Sequence, residues 1–97
     1  MSLTAQYHRV RVASDVAVAD AGGRRVMAVL LTSAAAVSTL DLFDAASATG
    51  TAFLELSVVA GDARLFDFTG IGGVMFPTTG IFADIGGTGA AAFVWID

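Results

Sequence analysis

Between Val37 and Phe68 the side chains alternate with a period of two, and breaks of small residues interrupt the chain every 8–12 residues or so. That pairing of features leaves little choice of fold. Leu40 and Leu42 share one face of Val37–Phe43, with Thr39 and Asp41 on the other; Leu54, Leu56 and Val58 oppose Glu55 and Ser57; Arg64, Phe66 and Phe68 oppose Leu65 and Asp67. Each pattern is that of a half-buried strand, since successive side chains of a strand point to opposite faces. The breaks fall at Asp20-Ala21-Gly22-Gly23, Asp44 to Gly50, Ala60-Gly61-Asp62, Thr69 to Gly73, Pro77 to Gly80 and Gly86 to Gly89. Gly61 offers the positive φ of a tight reversal, and Pro77 suits the second position of a turn whose exit is Gly80.

Short strands at this spacing predict an all-β fold: a small antiparallel β-sandwich, jelly-roll-like, of about seven to eight strands. With 97 residues the chain is read as one domain, 1–97. Its first part, 1–22, is either an N-terminal arm or a pair of edge strands. Thr4–Ala19 carries two alternating stretches, one setting His8, Val10 and Val12 against Tyr7, Arg9 and Arg11. Val26–Val37 reads as a buried strand and its exit rather than as a helix, because its start is β-branched. In Ala90–Ile96 the alternation fails: Ala90, Ala92, Val94 and Ile96 line one face, yet Ala91, Phe93 and Trp95 opposite them are equally apolar. A strand apolar on both sides is central in its sheet or lies against another subunit. Phe93 and Trp95 are therefore candidates for the core or for a subunit interface.

Composition narrows the function classes. Hydrophobic residues make up 56% and charged residues 14%, which excludes disorder and leaves apolar surface for another chain to cover. No apolar run approaches the roughly 20 residues of a membrane-spanning helix. The opening residues lack the basic and apolar regions of a secretory signal. The absence of cysteine removes disulfides, thiolate zinc sites and thiol catalysis. A single histidine, His8, no lysine and no G-x-S-x-G elbow point away from an enzyme. Gly70-Ile71-Gly72-Gly73 and Gly86-Gly87-Thr88-Gly89 lack the lysine of a phosphate-binding loop and read as turns. No calcium-loop spacing appears, and no cofactor or metal is expected. Asp41 and Asp44 read as residues that end a strand and cap the loop after it.

Charge is unevenly placed. Residues 1–25 carry Arg9, Arg11, Arg24 and Arg25 against Asp15 and Asp20, a balance of +2; the remainder carries −6. The basic front is either a docking patch for an acidic partner or an ordinary solvated strand face. Nucleic acid is excluded as a partner by the negative whole-chain balance and the lack of a dense arginine or aromatic cluster.

The succession Thr39-Leu40-Asp41-Leu42-Phe43-Asp44 to Thr51, Ala60-Gly61-Asp62, Phe66-Asp67-Phe68, Gly73 to Ala83 and Gly86-Gly87-Thr88 resembles small virion proteins of tailed bacteriophages. These are the head decoration, or cement, proteins, and the likeness covers roughly residues 26–97. It implies a β-sandwich subunit that forms homotrimers on the capsid exterior and clamps neighbouring major capsid proteins, after assembly in the host cytoplasm. Under that resemblance Arg9, Arg11, Arg24 and Arg25 would contact the capsid, and Phe82, Phe93 and Trp95 would contribute to the core or the trimer seam. A tail or fibre module and a carbohydrate- or receptor-binding sandwich are the alternatives. The second has little support in one tryptophan, one tyrosine, one glutamine and no asparagine.

Overall fold

Each alternating stretch forms a strand in the computed structural model, which describes residues 6–97. The strands are β1 (His8–Val12), β2 (Val16–Ala19), β3 (Arg24–Thr32), β4 (Ser38–Phe43), β5 (Leu54–Val58), β6 (Ala63–Asp67), β7 (Val74–Phe76), β8 (Ile81–Gly86) and β9 (Ala91–Ile96). One 3-10 turn, Thr69–Ile71, precedes β7. Thr4 and Ala5, the start of the stretch read as arm or edge strands, lie outside the described residues.

Two antiparallel sheets result. The first runs β1-β9-β3-β6, with β7 also paired to β3; the second runs β2-β8-β4-β5. Leaving out the short β7, consecutive strands alternate between sheets except at the β4–β5 hairpin, and each pair of neighbours in one sheet is matched in the other. This is the eight-strand jelly roll of two Greek keys. β7 is the additional ninth strand.

The half-buried alternation follows from this layering. Leu40, Leu42, Val58, Ile81 and Ala83 of the second sheet meet Val12, Val26, Val29, Leu31, Phe76, Ala92, Val94 and Ile96 of the first in one core. β3 is central in the first sheet, flanked by β9 on one side and by β6 and β7 on the other. A bulge between Val26 and Ala28 shifts its register, and Met27 and Ala28 are both buried there.

Two loops close the sandwich through specific bonds. Gly61 has φ 77° in the reversal from β5 to β6, where Asp62 N–H donates to the Val59 carbonyl at 3.2 Å. The Asp44 carboxylate accepts the backbone N–H groups of Thr78, Thr79 and Gly80 at 2.9, 2.7 and 3.1 Å. Asp44 thus caps the loop before β8, not the loop after its own strand as the sequence suggests. The Thr79 bond above all, with those of Gly80 and Thr78, holds its carboxyl below the ordinary value.

Candidate functional site

The two faces of β9 are told apart by packing. Ala92, Val94 and Ile96 belong to the core, so Ala91, Phe93 and Trp95 point to the outer face of the first sheet. Register extends that face across four strands. Arg11 stands opposite Phe93, Phe93 opposite Leu30, and Leu30 opposite Leu65. One row along, Arg9 stands opposite Trp95, Trp95 opposite Ala28, and Ala28 opposite Asp67.

An arginine thus heads each row, and the interior of the face is apolar. Leu65 is 49% exposed and Met75, on neighbouring β7, is 46% exposed; Phe93 and Leu30 are half-buried. Trp95 is buried although it lies outside the core cluster, with its ring 6.3 Å from that of Phe93. The Arg9 guanidinium lies 4.8 Å from the Phe93 ring centroid, where the π-face attracts the cation.

The four front arginines are not one patch. Arg9 and Arg11 are exposed on the edge strand β1. Arg24 donates to the Asp97 carbonyl at 2.7 Å; Arg25 pairs with the Asp97 carboxylate and donates to the Gly72 carbonyl at 3.2 Å. Those two fasten the start of β3 to the residue after β9. His8 is exposed at the start of β1.

The outer face of the second sheet has the opposite character. Ala17 stands opposite Phe82, and Phe82 opposite Phe43, forming an apolar row. Phe82, like Phe93, is half-buried on an outer face, but on the other side of the sandwich. Two residues along the strands, Asp84 stands opposite Asp41, and Asp41 opposite Glu55. Asp15 joins this line by accepting the Ile85 N–H at 2.9 Å. Beside the line an open groove of about 390 Å³ is lined by Thr39, Asp41, Glu55, Leu56 and Ser57.

Like charges directly opposite on adjacent strands repel. Burial first, and then the Glu55 carboxylate, raise the Asp41 carboxyl above its ordinary value. Asp84 is raised by burial, then by Asp15 and Asp41. The row holds four of the nine acidic residues, and the other five cancel the five arginines. Four carboxylates therefore stand together on one face. Among the described residues no group of three or more His, Cys, Asp or Glu side chains is arranged to hold a metal.

A raised carboxyl binds more protons in the folded than in the unfolded state, so its contribution is full below about pH 4 and is lost as pH rises through the folded value. Asp41→Asn is accordingly expected to raise Tm by about 2–6 °C at neutral pH and to do nothing at about pH 3, where both carboxyls are protonated. Thermal melts at both values check it. A shift of equal size at each would show that charge repulsion is not the cause.

The acidic row escaped the sequence reading because its members come from four separate segments. The negative balance after residue 25 was a signal for Asp41, Glu55 and Asp84 alone, since Asp15 lies in the basic front. Comparisons with protein-family models, curated proteins and solved structures find no match to this chain.

Proposed function

We propose that the protein is a structural subunit of a virus particle, a decoration protein of tailed-phage heads that trimerises on the outer capsid surface and bridges major capsid proteins. The observation that carries this reading is the outer face of the first sheet. An apolar row of Phe93, Leu30 and Leu65, spanning three strands and headed by Arg11, is surface that a subunit of an assembly covers and a solitary domain leaves wet. Two further features support it. The jelly roll is an architecture that capsid proteins use, an analogy at the level of fold. A sandwich without cysteine owes its stiffness to packing, and a clamp needs stiffness more than chemistry.

Antibody labelling of purified phage particles that carry the gene tests the reading. Label on the outside of heads is the expected result. Label on tails would overturn it in favour of a tail module, and unlabelled particles would overturn both. In solution, light scattering should report about three times 9.8 kDa.

A further inference from the structure

We infer that copies of this chain join through unlike faces, the arginine-edged outer face of the first sheet packing on the acid-lined outer face of the second sheet of the next copy. The inference goes beyond the decoration reading by naming a contact through which copies stack. It rests on two independent surfaces that match.

On the first face, Arg9 and Arg11 form a line along β1, about 7 Å apart, with Phe93, Leu30 and Leu65 beside it. On the second, Asp84, Asp41 and Glu55 form a line across three strands at about 4.8 Å spacing, with Phe82 and Phe43 beside it. One line runs along strands and the other across them. Stacking two copies with strands near a right angle therefore sets arginines over carboxylates and brings the Phe93 and Trp95 column of β9, which runs beside the arginines, over the Phe82 and Phe43 row, a crossing that sheets adopt elsewhere.

Energetics favour the same arrangement. Cross-strand carboxylates cost stability within one copy, and counter-charges from the next copy relieve that cost. The molecule is a slab of 35 × 34 × 19 Å, so each broad face has the extent of a standard interface, roughly 800 Å² per partner. Phe93 and Phe82, on opposite sides of one subunit, then enter the same contact from different copies. Because the two faces lie on opposite sides of the slab, this contact stacks copies in an open series and is distinct from the contacts that would close a trimer.

Sedimentation velocity on the full chain tests this. The wild type should associate at low salt and weaken at about 1 M salt, where the Debye length is about 3 Å. Arg11→Glu and Asp41→Arg should each weaken association about tenfold or more while keeping the wild-type circular dichroism spectrum. If Arg11→Glu fails to fold, Arg11→Ala takes its place. An equimolar mixture of the two variants should recover association, because the intact Arg11 face of one meets the intact acid row of the other. A monomeric wild type, association indifferent to both changes, or a mixture that stays apart would overturn the inference. Head labelling with any of those results would leave the place on the head standing, while a monomeric wild type would also remove the solution trimer. Association by these rules with unlabelled heads would do the reverse, and an open series instead of a trimer would remove the closed trimer alone.

Discussion

Phe76→Ala is expected to destabilise the protein by about 3–5 kcal/mol, the range for removing a large aromatic side chain from a core. Phe76 is fully buried, stands opposite Arg24 on β3, and has its ring stacked on Phe53 with centroids 5.2 Å apart. Little can collapse into the space it leaves, since its neighbours belong to two sheets held by their own ladders. A domain of this length has a total stability of roughly 5–15 kcal/mol, so the loss is a large share of the whole. Urea titration should show a lower midpoint at unchanged slope, and Tm should fall by about 12 °C or more. Phe53, with 50% of its surface exposed, provides the control: Phe53→Ala removes the other half of the stack at a smaller cost. Equal losses for the two would mean that the stacked pair, not burial of Phe76 between the sheets, holds this end of the sandwich.

Gly87→Ala is expected to be comparably severe for a different reason. Gly87 has φ 106°, where a side chain is strained, and a Cβ built there would lie 2.4 Å from the Val37 carbonyl oxygen and 3.1 Å from the Ser38 Cα. The obstructing atoms are backbone, so relief requires the chain leading into β4 to move away from the turn after β8. These two strands are paired along Thr39–Phe43, and the disturbance enters the second sheet at its centre. We expect a loss of several kcal/mol, about 3 or more, read as a fall in Tm or as failure to fold. Gly61→Ala separates the two causes. Gly61 also has positive φ, 77°, but nothing lies within 4 Å of its added Cβ, so only the backbone cost of about 1 kcal/mol applies. If Gly87→Ala were as mild as Gly61→Ala, the close approach of Val37 would not be a constraint.

These two sites also mark how much was legible beforehand. Gly86 to Gly89 is recognisable as a turn from its residues, as is the reversal at Gly61. That one glycine of the first turn faces a backbone and the glycine of the second faces open space depends on a strand fifty residues away. The candidate site divides in the same way. Arg9 and Arg11 alternate with Val10 and Val12, so their outward direction follows from β1 alone. Arg24 and Arg25 look equivalent to them in sequence, yet the β3–β9 pairing brings Asp97 beside them and engages both.

The sequence by itself determined the class of fold, the placement of most strands and the buried side of β4 and β5. Those features depend on the period-two geometry of a strand and on local turn chemistry, both written into neighbouring residues. Tertiary structure decided which face of β9 is core, because both faces are apolar and only the second sheet, packed on one of them, breaks the tie. It also assembled the row Asp15, Asp84, Asp41 and Glu55 from four distant segments. Cross-strand register is a non-local property, set by the whole jelly roll, and it turns a diffuse negative balance into one charged face.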